Sequence, residues 1–149
     1  MATYYQLKEE QDRVTLEEFA TASEIFQVFP TEEHSTIDAH FDSVVGKGII
    51  EMKDRGYPSS AFNGEWFLEV DKYAEVMRHS VSGGTPLVIN FFSDGIVAIW
   101  NLHRFIPSEP VRRRTWNEGM GAYECSDKYI LPLSAATLYN KEGKKMKLK

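Results

Sequence analysis

Two carboxylates and one lysine fall within a short extended stretch of this chain, and their spacing gives them a common direction. Asp38 sits in the alternating run Thr36-Ile37-Asp38-Ala39-His40-Phe41-Asp42, and Glu51 and Lys53 sit in Gly48-Ile49-Ile50-Glu51-Met52-Lys53. Glu51 and Lys53 are two apart, so on a strand both project from one face. Gly46-Lys47-Gly48 marks a turn, which makes residues 36–53 a hairpin and sets Asp38 close to Glu51 across the pair. Paired carboxylates are hard oxygen ligands suited to magnesium. A metal there stabilises charge on a phosphodiester and activates water. A neighbouring lysine orients that water or stabilises developing negative charge. The same three residues also fit a plain cross-strand ion pair on a solvated sheet face, which would contribute little.

The elements that must position these groups follow from periodicity. Thr15 and Glu18 have the form of a capping box, and Leu16, Phe19, Ala20, Ser23 and Phe26 recur at helical spacing, so a first helix is predicted over 15–26. The 36–53 hairpin follows. Asp54 to Asn63 reads as a loop, and Glu65 to Val70 as a short strand. Asp71 can cap a helix running to His79, with Tyr73, Val76 and Met77 turned inward. Leu87 to Phe92 reads as a strand buried on both faces, Ser93-Asp94-Gly95 as a hairpin turn, and Ile96 to Leu102 as the returning strand. Beyond Arg104 the pattern weakens: residues 112–128 are polar, and Tyr129 to Leu133 suits an edge strand. The order predicts an α/β protein with a mixed sheet and helices packed on it.

Ser35-Thr36-Ile37-Asp38, followed by Gly48-Ile49-Ile50-Glu51-Met52-Lys53-Asp54-Arg55, resembles the PD-(D/E)xK nuclease superfamily of restriction endonucleases, Holliday-junction resolvases and phage exonucleases. The resemblance extends through Val70-Asp71-Lys72-Tyr73, the strand Leu87 to Phe92 and the turn at Asp94-Gly95, so it covers about residues 16–102. Ile37 replaces the proline that often precedes the first aspartate. The resemblance implies a restriction endonuclease-like fold with an αβββαβ core, a mixed central sheet flanked by helices. It implies a metal-dependent nuclease that hydrolyses phosphodiester bonds, with DNA the favoured substrate and a phage or mobile element a fitting origin. Asp38 and Glu51 would hold Mg2+, or Mn2+ as a substitute, with the Met52 backbone carbonyl a further ligand. Lys53 would be the catalytic lysine. Glu24 from the first helix would join them, with Glu17 as second choice. Arg55 and Lys72 would meet phosphates near the site, and Arg112, Arg113 and Arg114 would grip the backbone. A homodimer also fits, since two strands need two cuts. The alternative is a catalytically inactive module of the same fold that binds nucleic acid or a protein partner.

Composition narrows the field less sharply. The 149 residues suit one domain, with 141–149 a flexible basic tail. The formal net charge of -5 is unusual for a nucleic-acid binder, but it is unevenly spread. Residues 1–33 carry eight acids against Lys8 and Arg13, whereas 141–149 carry five lysines against Glu142. Cys125 is the single cysteine, which excludes an intramolecular disulfide and suggests the cytoplasm. No apolar run is long enough to span a bilayer. There is no Gly-x-Ser-x-Gly, no phosphate-cradling glycine loop, and no zinc-ligand spacing among His34, His40, His79 and His103. Trp66, Trp100 and Trp116 are expected to serve packing.

Overall fold

The computed structural model describes residues 4–23, 27–30, 39–43, 46–54, 58–59, 65–80, 84–117, 119–140 and 142–146. Helix α1 (Tyr4–Ser23) leads into strands β1 (Gln27–Pro30), β2 (Ala39–Ser43) and β3 (Gly46–Asp54). Strand β4 (Glu65–Glu69), helix α2 (Val70–Ser80) and strands β5 (Thr85–Phe91) and β6 (Val97–Asn101) follow. The chain ends with β7 (Val111–Asn117), β8 (Ala122–Pro132), β9 (Thr137–Tyr139) and β10 (Lys145–Met146).

Seven strands form the main sheet in the order β1-β2-β3-β5-β6-β9-β10. β1, β2 and β3 make an antiparallel meander; β5 then lies parallel to β3, and β6 returns antiparallel to β5. A parallel neighbour needs a crossover connection, and α2 lies on that crossover. A smaller sheet has the order β4-β8-β7. The fold is therefore mixed α/β, as the element pattern predicts, with more strand than expected.

The main sheet is covered on both faces, so its strands alternate between two cores. Leu16, Phe19 and Ala20 of α1 pack with Phe41, Ile50, Met52, Ile89, Phe91 and Val97. On the other face, Val76 of α2 joins Ile49, Val88, Ala98 and Trp100 of the main sheet and Leu68 and Leu131 of the small one. Trp100 is fully buried, and its indole N–H donates to the Pro132 carbonyl at 2.9 Å, which ties the two sheets together. Gly48 is set by close approach. A methyl group there would collide with the Thr85 carbonyl and the Phe41 ring, the residues paired with it on either side.

Several expectations need correction. α1 begins at Tyr4, so Thr15 is not a cap: its hydroxyl donates to the Gln11 carbonyl at 3.1 Å inside the helix. Phe26 lies outside the described residues. β1 follows α1 where no strand is expected, and Pro30 is accommodated because β1 is an edge strand. Gly46 and Gly48 belong to β3, and Ser43 pairs with Gly46, so Gly46-Lys47-Gly48 is strand and not the turn. The strand at Glu65 joins the small sheet and not the main one. The polar residues 112–117 and 122–128 are the paired strands β7 and β8, and Tyr129 to Pro132 continues β8 as the middle strand of the small sheet, not an edge. Within the basic tail, Lys145 and Met146 pair with Tyr139 and Leu138 as β10.

Candidate active site on the α2 face of the main sheet

The site grows from the parallel pair β3 and β5. Glu51 aligns with Val88, and Lys53 with Asn90. Val88 belongs to the core beneath α2, and Asn90, two residues on, shares its face. Glu51 is only 2% exposed, and Oε1 lies 3.7 Å from the Lys72 ammonium, which reaches down from α2 and stays part-exposed. A carboxylate taken out of water needs charge or hydrogen bonds around it, and Lys72 supplies part of that charge. These groups lie near the C-terminal ends of two parallel strands, where ligands collect in open α/β sheets.

Asn90 is the residue that sequence reasoning missed. It is fully buried, and neither its amide nitrogen nor its oxygen has a hydrogen-bond partner among the described residues. A buried orphaned polar group costs about 1–3 kcal/mol, comparable to what burying a whole Val or Leu side chain contributes. Such a group calls for a specific reason. The signal was present in the sequence: Asn90 is the one polar residue in Leu87-Val88-Ile89-Asn90-Phe91-Phe92.

The loop after β3 is tied to the turn after β5. The amide and hydroxyl of Ser59 both donate to Asp94 Oδ2, at 3.2 and 2.6 Å. Partial burial works to raise the Asp94 pKa, but the hydrogen bonds from Ser59 and from the Ile96 amide outweigh it and hold the carboxyl below its ordinary value. The chain leaving Lys53 and the chain leaving Asn90 are thus anchored to each other.

The other expected site residues fare differently. Asp38, Glu24 and Arg55 lie outside the described residues, as does the side chain of Lys53, whose backbone is in β3. The described part of β2 starts at Ala39, opposite Ile50, so the predicted hairpin is present with Asp38 just before it. The Met52 side chain is buried against α1, which leaves only its backbone for the Glu51 face. Glu17 is exposed on α1, the helix that covers the opposite face of the sheet, and is not brought to Glu51. Lys72 is at the carboxylate itself and not merely near it. Arg112, Arg113 and Arg114 are not one basic loop. They are consecutive on β7, so Arg113 points away from the other two and lies over the Phe67 ring at 5.7 Å. Trp100 serves packing as expected, but Trp116 is about half exposed.

Among the described residues, no three or more His, Cys, Asp or Glu side chains are gathered where they could hold a metal ion together. Among them, no helix is long and apolar enough to cross a membrane. No family model matches this chain, and no curated protein and no solved structure matches it.

Proposed function

We propose that the protein is a metal-dependent nuclease with a restriction endonuclease-like core, acting on phosphodiester bonds with DNA as the favoured substrate. The observation that carries this reading is Glu51: a buried carboxylate on the face that also holds Asn90, two residues before Lys53, at the ends of parallel strands. Support also comes from the element order. Helix α1, the β1–β3 meander, α2 and parallel β5 give the main sheet an αβββαβ order like the one the resemblance implies, with β4 inserted between β3 and α2 and paired in the small sheet.

The donor chemistry fits a hard divalent cation in part. Glu51 supplies one carboxylate, and Asp38, one residue before the Ala39–Ile50 pair, would supply the second, with the Met52 carbonyl as a further ligand. Bound magnesium would polarise the phosphate and activate water. Lys53 would stabilise the charge that grows on the phosphate oxygens. Asn90 would hold a reacting water or a phosphate oxygen through its amide, which has no other partner among the described residues. The part-exposed Lys72 ammonium would move from Glu51 toward the incoming phosphate.

Two measurements test this. The first is cleavage of DNA and RNA substrates with magnesium, manganese or EDTA. The second is thermal stability. At a hundred times Kd, a bound metal stabilises by about 2.7 kcal/mol, which is roughly 5–10 °C for a domain of this size. Glu51→Gln should remove most of that increment; an equal increment in the variant would place the ion elsewhere.

Lys72 also favours a second reading, in which the fold is an inactive module that binds nucleic acid or a protein. Its ammonium already supplies countercharge to Glu51. Lys72→Met separates the two. Removing countercharge from a buried carboxylate is destabilising, so the metal-free variant should melt lower. Under the nuclease reading magnesium restores the melting temperature, because the cation replaces the lost charge. Under the module reading magnesium leaves it low.

A further inference from the structure

We infer that the exposed face of the β7–β8 hairpin is a stacking platform for unpaired nucleotides of a single-stranded nucleic acid. This surface is separate from the Glu51 site, and only its use in feeding a substrate to that site rests on the nuclease reading.

The hairpin outruns its sheet. β4 pairs with β8 only from Lys128 to Pro132, whereas β7 follows β8 from Lys128 to Ala122. From Ala122 to Asp127 the described structure is a two-stranded ribbon. Alternation puts Arg112, Arg114 and Trp116 on one face, and the register sets Asp127, Cys125 and Tyr123 opposite them. This face is open: Trp116 is 48% and Tyr123 59% exposed. Their rings meet edge to face at 5.0 Å, and the Arg114 guanidinium lies 4.1 Å from the centre of the Tyr123 ring. Arg112 lies 3.5 Å from Asp127, and both are largely exposed, so that contact holds the guanidinium weakly.

An exposed tryptophan and tyrosine forgo burial that a core position would give them. Their arrangement suits a ligand that is flat and anionic together. Bases stack on aromatic rings whatever their sequence, provided that they are unpaired, and arginines beside the rings hold the phosphates. A protein partner would use the same residue types, but the area argues against it. Five residues of strand length and two strands of width span roughly 15 by 10 Å, far below the roughly 800 Å² per side of a standard interface. Edge-to-edge pairing with a second copy is opposed by three successive arginines on β7, an edge strand.

The test measures binding of the full chain, in EDTA, to a fluorescent single-stranded oligonucleotide and to a blunt duplex of the same sequence. Trp116→Ala should weaken single-strand binding roughly 5-fold to 150-fold, the equivalent of about 1–3 kcal/mol per stacked base. Trp116→Phe should keep most of the affinity, and duplex binding should not change. Arg114→Ala should weaken single-strand binding and make it less sensitive to salt. Equal single-strand affinity in Trp116→Ala and wild type overturns the platform. So does a wild type that dimerises through Trp116, since the face then belongs to a second copy. If no metal supports cleavage but Trp116-dependent binding is seen, the platform stands and the nuclease reading falls. Cleavage with affinity unchanged in Trp116→Ala defeats the platform alone.

Discussion

Lys53→Ala is expected to lower turnover at saturating DNA by roughly 10²–10³-fold, the usual effect of removing one group that stabilises transition-state charge. Affinity for DNA and the magnesium-dependent rise in melting temperature should stay near those of the wild type. The reason lies in when the lysine acts. Negative charge grows on the phosphate oxygens only as the bond to water forms, so the interaction is stronger in the transition state than in the ground state. Single-turnover cleavage measures the first quantity, and melting with and without magnesium checks that the fold and the Glu51 site persist. Normal turnover in Lys53→Ala would refute the assigned role. A comparable loss of affinity would make Lys53 a binding group.

Asn90→Leu should move stability and activity in opposite directions. Leucine removes two orphaned polar atoms from a fully buried position and fills it with hydrocarbon of similar size. A gain of about 1–3 kcal/mol follows, several degrees of melting temperature for this chain length. Turnover should fall by roughly 10²-fold if the amide holds a reacting water or phosphate oxygen. Active sites commonly carry such local instability in exchange for function. If the Asn90→Leu protein instead melts lower than the wild type, the amide belongs to a structural hydrogen bond, made through a buried water. A variant that melts higher with turnover intact would remove Asn90 from the site.

Legibility in the sequence followed how clearly each segment has an inside and an outside. β5 and β6 were readable as apolar runs because both faces of the sheet are covered, with Val88 and Trp100 on one side and Ile89 and Val97 on the other, and α2 because Tyr73, Val76 and Met77 share one inward face. The β2–β3 hairpin was readable for the same reason, since Phe41 and Ile50 face α1 while His40 stays exposed. The first half of α1 was not: Leu7 and Val14 are exposed, so no inward stripe marks it, and only the helix propensity of its Gln, Lys and Glu residues does. β7 and the outer part of β8 are exposed, so Arg112-Arg113-Arg114 shows no alternation from which a strand could be read. At the site, the Glu51 and Lys53 spacing was legible because it is local. The approach of Lys72 to Glu51 was not, because it depends on how α2 lies across the sheet.

β4 lies outside the main sheet, just before α2, and its strand partner arrives very late in the chain. Glu65 pairs with Pro132 and Glu69 with Lys128, so β4 waits through the emergence of α2, β5, β6 and β7. During synthesis the meander, α2 and the two central strands can assemble while β4 still presents open backbone and Leu68 still lacks Leu131. Such non-local pairings form slowly, and an open strand edge is a template for pairing with other chains. Nascent or truncated chains that stop short of β8 are therefore the species in which this protein is most prone to aggregate.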